Sequence, residues 1–253
     1  MNTSIVGAIV PLAQFRPEGE KCMKTGCGTE HIEMLERLLA ARYSCRAFRP
    51  EPVPRATIER ILSALQKTAS WCNSQPWQVV IVSGDGTPKF SRALYEAASQ
   101  GAPHETDFPF PRGYYGVYLD RRRESGFQLY SALGIQRGDK AAYVKQTLEN
   151  SRFFGAPHVA IITTEDALGV YGAIDCGAYV ANVLLAAQAA GVASVPQAAL
   201  ASHSDIVRKH LGIGDDRRVV CGISFGFLDE IHPANSYRTN RAAIAEAVRF
   251  IDV

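Results

Sequence analysis

Asn73-Ser74-Gln75-Pro76-Trp77 runs directly into Gln78-Val79-Val80-Ile81-Val82 and stops at Ser83-Gly84-Asp85-Gly86. Proline fixes φ and lacks an N–H, so Pro76 closes whatever precedes it. Residues 77–82 are apolar and rich in β-branched side chains, and the glycines end the run, which predicts a turn followed by a buried strand. The amides of Asn73 and Gln75 both donate and accept, which suits the alternating edge of a heterocycle. An ordinary capping turn, with Trp77 filling the core, accounts for the same residues.

Around this stretch the chain alternates between helical and strand-like patterns. Ile32, Leu35, Leu38 and Leu39 recur at helical spacing over residues 31–43. Pro54 opens a second helix with Ile58, Ile61, Leu62 and Leu65 on its buried face. Further helices are predicted over residues 89–99, 121–133, 140–150 and 204–211, with a last one over 242–250. Residues 159–163 and 219–225 read as two more strands. Residues 171–190 are apolar nearly all round and include Gly177, Ala178 and Ala181. Such a helix is buried in a core, in an interface or in lipid. Asp175, Asn182 and Gln188 interrupt it at intervals unsuited to lipid, so a core or subunit-interface helix is the reading, and no membrane partner is expected. Residues 101–118 differ: Pro103, Pro109 and Pro111 stand among Phe108, Phe110, Tyr114, Tyr115 and Tyr118. Aromatics on a proline-broken loop suit either contact with something flat or tacking of the loop onto the domain.

At 253 residues with 47% hydrophobic and 21% charged content, the chain fits one large globular domain with no linker or repeat. A net charge of +2 gives no reason to expect a nucleic-acid or membrane partner. Arg121-Arg122-Arg123 and Arg217-Arg218 are short runs that suit solvated helix ends or loops. The six cysteines show no compact framework of paired spacings, as expected of free thiols in a reducing compartment. Cys22, Cys27 and His31 have no second ligand pair at a suitable spacing, so no metal site is expected. The apolar patch at residues 5–13 has no basic leader, so residues 1–30 read as an N-terminal extension, poorly ordered or strand-like, and the location as cytoplasmic.

Two other segments carry cofactor-type chemistry. In Arg42-Tyr43-Ser44-Cys45-Arg46, two guanidiniums flank a hydroxyl, a fork of donors fit for a phosphate. Cations near a helix C-terminus are equally explained by the helix dipole. Arg238 and Arg241 form a late basic pair after an irregular tail, which also suits a solvated helix start.

Together, an R-x-S-x-R segment, an N-S-Q-P-W turn about thirty residues later and a C-terminal arginine pair make the chain resemble the FMN-dependent nitroreductase family. Arg122-Arg123-Glu124-Ser125-Gly126 and Asn150-Ser151-Arg152-Phe153-Phe154-Gly155-Ala156-Pro157 resemble its nitrobenzoate and nitroarene reductase branch. The resemblance covers residues 35–253. It implies an α+β fold (α/β-type layered), a mixed central sheet flanked by helices in an intertwined homodimer, with residues 31–253 as one FMN-binding domain. It implies that Arg42 and Arg241 hold the FMN phosphate with Arg238 nearby. Tyr43 and Ser44 would meet the phosphate and ribityl end, Arg46 the N1/O2 edge, and Asn73 the pyrimidine edge. Pro196, Gln197 and Ala198 would stand behind the flavin near N5, although this chain lacks the acidic residue and glycine often found after the proline. NADPH or NADH would be the electron donor and a small nitroaromatic the acceptor, by ping-pong transfer through flavin N5 to a hydroxylamine or amine. The cofactor carries such chemistry, so no dedicated catalytic side chain is expected, and the six histidines form no motif with Ser, Cys or carboxylates. Tyr114, Tyr115 and Phe108 are the candidate substrate contacts. Fold-level resemblance does not separate this activity from reduction of quinones or activated alkenes, reductive dehalogenation, or flavin binding without turnover.

Overall fold

Every second residue of the central strands faces the same helix layer, and this alternation organises the domain. The computed structural model describes residues 27–252. Its elements are α1 (Cys27–Ala41), α2 (Arg55–Leu65), β1 (Gln78–Ser83), α3 (Gly86–Ser99), α4 (Val117–Ala132), α5 (Lys140–Leu148), β2 (His158–Glu165), α6 (Gly169–Ala189), β3 (Ala193–Gln197), α7 (Ser204–Leu211), β4 (Arg217–Gly226) and α8 (Ile244–Ala247). The chain divides into two compact units, Met1–Arg37 and Leu38–Val253. In the first unit the described part is the start of α1, where Arg37 Nη2 approaches Met34 Sδ at 3.9 Å. Residues 1–26 of the expected extension, Cys22 among them, lie outside the described residues.

In the second unit the sheet runs β1-β2-β4-β3. Val159 and Ile161 of β2 point into one core with Phe90, Leu94, Phe153 and Val207, under α3 and α7. Ala160 and Ile162, their alternates, point into the other with Ile58, Ile61, Tyr179 and Leu184, under α2 and α6. Both faces of β2 are covered, which is why its sequence reads as a continuous apolar run. Gly172 lets α6 lie close on β2, because a Cβ there would collide with the Thr164 side chain.

All four strands pair antiparallel. The mixed sheet expected from the resemblance is thus corrected: parallel pairing is confined to isolated bridges, Ser44 with Ser194 and Glu105 with His203. The segment holding Ser44 is too short to continue the ladder, because Pro50 and Pro54 follow it. The composition of β3 carries no strand signal, since Ala-Ser-Val-Pro-Gln is short and contains a proline. Pro196 is tolerated because β3 is the last strand in the sheet order. The helix expected over residues 242–250 shrinks to Ile244–Ala247, an exposed turn with no buried residue. That over residues 89–99 starts earlier, at Gly86, with Pro88 in its first turn. By length and composition α6 is apolar enough to cross a membrane. Here it packs on the sheet through Cys176, Tyr179, Leu184 and Ala187.

His158 shows how the core constrains one titratable group. Its Nε2 accepts from Val53 N–H at 2.9 Å, so the proton sits on Nδ1, which faces Ser83 Oγ at 2.7 Å. Burial lowers its pKa below the ordinary value. The folded protein therefore binds fewer protons than the unfolded chain between this lowered pKa and about 6.5, and stability falls as pH drops through that window. The contribution of this residue to the unfolding free energy should be level above pH ~6.5 and decline below it by up to ~1.4 kcal/mol per pH unit, with the thermal midpoint falling in step. A His158→Gln variant should flatten that part of the profile; an identical slope would exclude His158 as the source.

Candidate active site

Six of the expected residues come together although they are about two hundred positions apart in sequence. Arg42, Tyr43, Ser44, Arg46, Arg238 and Arg241 line one cleft of about 330 Å³, joined by Ser125, Tyr237 and Thr239. The assembly begins where α1 ends. Residues 42–46 leave the helix extended, and Cys45 N–H donates to Ser194 O at 3.1 Å, docking the segment beside β3. Alternation then buries Cys45 and Ala47 and turns Ser44 and Arg46 toward the cleft. Burial pushes the Cys45 thiol up to about 11, so it is a packing residue and not a thiolate.

The tail after β4 supplies the other half. Asn235, 5% exposed, is its fastener: Oδ1 accepts from Arg46 N–H at 2.8 Å, and Nδ2 donates to Ala47 O at 2.9 Å and Asp229 O at 2.8 Å. Arg46 Nη1 donates to Tyr237 OH at 2.8 Å and Ser44 O at 3.2 Å. The Arg238 guanidinium lies 3.4 Å from the Tyr43 ring centroid, and its Nη1 donates to the carbonyls of Asn235 and Tyr237. Both phenols are held protonated, Tyr43 and Tyr237 each being raised first of all by burial, against the pull of Arg238 and Arg46 respectively. Both can therefore donate. Sequence reading missed Asn235 and Tyr237, and nothing local marks them, since the Arg46 and Ala47 partners that bring them to the cleft lie 188 to 191 residues away.

Electrostatically the cleft is one-sided. Among the described residues, none of its four arginines is ion-paired with a carboxylate. The Arg42 guanidinium has no hydrogen-bond partner there either. Arg241 uses Nη1 on Thr239 and on Asn240 O, leaving Nε and Nη2. Four like charges on one cleft, two of them with open donors, favour an anion there, and the forked donors of Arg42 and Arg241 suit a phosphate. The residues thus fit the phosphate end of a mononucleotide.

The other expected residues stand outside this lining. Ser44 pairs with Ser194, and two positions further along each segment stand Arg46 and Pro196. Ala198 and Ala199 follow, exposed and carrying nothing longer than a methyl. Gln197 does not offer its amide to a ligand: it is 3% exposed, and both ends are bonded within the protein. Asn73 lies on an exposed turn near the start of α6, not in the cleft. There Cys72, Asn73 and Gln75 all take positive φ (51°, 56° and 46°), a conformation costly for non-glycine residues and typical of functional turns. Asp175 of α6 accepts from Trp71 N–H at 3.1 and 3.2 Å, and Arg217 Nη2 donates to Pro76 O at 3.0 Å, so the turn is pinned at both ends. Phe108 is half-buried, while Tyr114 and Tyr115 are 42% and 77% exposed. The Arg122 guanidinium lies 5.1 Å from the Tyr114 ring centroid. Ser125, one turn along α4, lines the cleft. No group of three or more His, Cys, Asp or Glu side chains among the described residues could hold a metal ion.

Comparison with known proteins places the chain in a family. The family model described as "Nitroreductase family" matches residues 39–227, stopping short of Arg238 and Arg241. The chain is 37% identical over 229 residues to nitroreductase NfnB of Mycolicibacterium smegmatis, covering 90% of this chain and 97% of that protein. It is 31% identical to a 4-nitrobenzoate reductase of Nocardioides sp., over 87% of this chain and 91% of that one. Among solved structures, FMN-dependent NfnB from Mycobacterium smegmatis in complex with NADPH superposes with a TM-score of 0.83 at 37% identity, covering 88% of this chain and 100% of that chain. The resemblance drawn from residues 42–46, 73–77 and the arginine tail is borne out, and the chain belongs to the nitroreductase family.

Proposed function

We propose that this protein is an FMN-dependent oxidoreductase that passes electrons from NADPH or NADH to nitroaromatic compounds. The observation that carries the reading is the cleft in which Arg42, Arg46, Arg238 and Arg241 converge without a carboxylate partner. NfnB, similar over most of its length, is FMN-dependent and was crystallised with NADPH, and other relatives are named for reducing nitrobenzene and 4-nitrobenzoate. When bound, FMN supplies a site that takes up a hydride and delivers two electrons. The overall change is that a nitro group, one reduced nicotinamide and one proton give a nitroso group, the oxidised nicotinamide and water. A second nicotinamide and proton give the hydroxylamine.

In this reading the chain's own groups bind and orient. Arg42 and Arg241 take the phosphate through their open donors. Arg46, fixed by Tyr237 and Asn235, stands as a cation beside the ring edge where negative charge gathers on reduction, which favours the reduced form. Ser44 and Tyr43 meet the ribityl end. Pro196–Ala199 offers a wall without long side chains. Asn73, outside the cleft, serves a flavin from across a subunit boundary in a homodimer. The outward stripe of α6 supports such a dimer: Val170, Tyr171 and Ile174 are 63%, 54% and 58% exposed, and the small Gly177, Ala178 and Ala181 extend it. Sedimentation should give twice the chain mass; a monomer would remove this part.

The test is a visible spectrum, taken before and after anaerobic addition of NADPH and then a nitroarene. A yellow protein that bleaches and then recolours supports both half-reactions. A colourless protein that FMN cannot reconstitute overturns the reading. Tyr114 and Tyr115, just before α4, are the proposed acceptor contacts, with Phe108 in the middle of the same loop. Tyr115→Ala should raise the nitroarene KM severalfold while leaving bleaching by NADPH intact. Steady-state kinetics unchanged for several nitroarenes would dismiss the loop as a substrate contact. The proposed location is cytoplasmic.

A further inference from the structure

A buried primary amide must place its two donors and its acceptor within the protein. Gln197 does so across three elements. Its Oε1 accepts from Ser224 Oγ, 0% exposed on β4. Its Nε2 donates to Asn150 O at 3.1 Å and to Asn150 Oδ1 at 3.2 Å, just past α5. Asn150 leads into Phe153, Phe154 and Gly155, three consecutive residues with positive φ (57°, 54° and 79°). Two buried phenylalanines in that conformation are held by packing, not by local preference. From this turn Phe154 O accepts from Phe48 N–H at 3.3 Å, two residues beyond Arg46. One side chain thus links the Pro196–Ala199 edge to the turn that supports the Arg46–Phe48 segment.

We infer that Gln197 is a positioning residue of the proposed flavin site, fixing the exposed Ala198–Ala199 backbone relative to Arg46 and so setting where a flat ring sits, without touching it. The inference rests on the flavin reading above. It separates two properties: phosphate affinity lies with the arginines, while alignment of the ring lies with the Gln197 network. Misplacing a reacting group by about 1 Å can slow transfer on the order of a hundredfold.

The experiment uses the full chain loaded with FMN, comparing the parent with Gln197→Leu, Ser224→Ala and the double variant. FMN Kd should stay within about threefold of the parent, since the phosphate contacts are untouched. The single-turnover rate of bleaching by NADPH, counted per bound flavin, should fall on the order of tenfold in Gln197→Leu and less in Ser224→Ala. The flavin midpoint potential should shift in both. The double variant should be no slower than Gln197→Leu, because its two changes break one network. Rates per bound flavin and potentials equal to the parent, with only the thermal midpoint lowered, would overturn the inference and leave Gln197 a core residue. Should Gln197→Leu fail to fold, Ser224→Ala decides by the same readouts. A parent that takes up no FMN would overturn the flavin reading and this inference together.

Discussion

Replacing both Arg42 and Arg241 by alanine is expected to give a folded protein that purifies without flavin. Each is expected to make a charge-assisted contact to the phosphate, and such contacts contribute ~1.5–3 kcal/mol apiece. Losing both should cost ~3–6 kcal/mol, roughly a hundredfold to ten-thousandfold in FMN Kd. Folding should hardly change, because neither side chain is ion-paired with a carboxylate and like-charge repulsion in the cleft is relieved. Riboflavin, which lacks the phosphate, provides the internal control. Fluorescence titration should show FMN affinity falling toward that of riboflavin while riboflavin affinity stays the same. Equal losses for both ligands would mean that the arginines shape the ring pocket instead. An unchanged FMN Kd would show that the phosphate lies elsewhere.

Arg217→Ala is expected to have the largest effect on stability. Arg217 is 7% exposed at the start of β4 and reaches across β2. Its Nη2 donates to Thr163 O at 2.9 Å and Pro76 O at 3.0 Å, and Nε donates to Thr163 Oγ1 at 3.2 Å. Glu165 lies 3.6 Å away. Removing the guanidinium leaves buried carbonyls without donors, a loss of ~3 kcal/mol. For a domain of this size that corresponds to a fall of about 6–12 °C in Tm. Arg217→Lys should recover only part of it, because one ammonium can take over the two Nη2 carbonyl contacts but not also the Nε contact to Thr163 Oγ1 and the Nη1 pairing with Glu165. Pro76 closes the Asn73 turn, so the loss should also reach function. At temperatures where the variant is still folded, FMN should dissociate faster. A Tm within 2 °C or so of the parent would show that water replaces the guanidinium.

The parts read correctly from sequence share a physical character. The buried face of α2, the extent of α7 and the apolar runs of β1, β2 and β4 are dictated by neighbours in sequence, because periodicity reports burial directly. The N-S-Q-P-W turn was legible for the same reason, since Pro76 and the glycines act locally. The left-handed backbone of Asn73 and Gln75 within it, and of Cys72 just before it, was not, because that strain is sustained by Asp175 and Arg217 from other elements. β3 escaped notice because five residues with a proline acquire strand character only by pairing with β4.

By itself the sequence determined most helix and strand types, because those depend on side-chain chemistry and short spacings, and its motifs carried the family resemblance that named six residues now found lining one cleft. Only the tertiary structure decided that Asn235 and Tyr237 fasten that cleft, and that Gln197 turns inward to Ser224 and Asn150. It alone left Asn73 outside the lining. Hydrogen-bond partners nearly two hundred residues apart are selected by the packed fold, and no local pattern records which buried polar group will meet which.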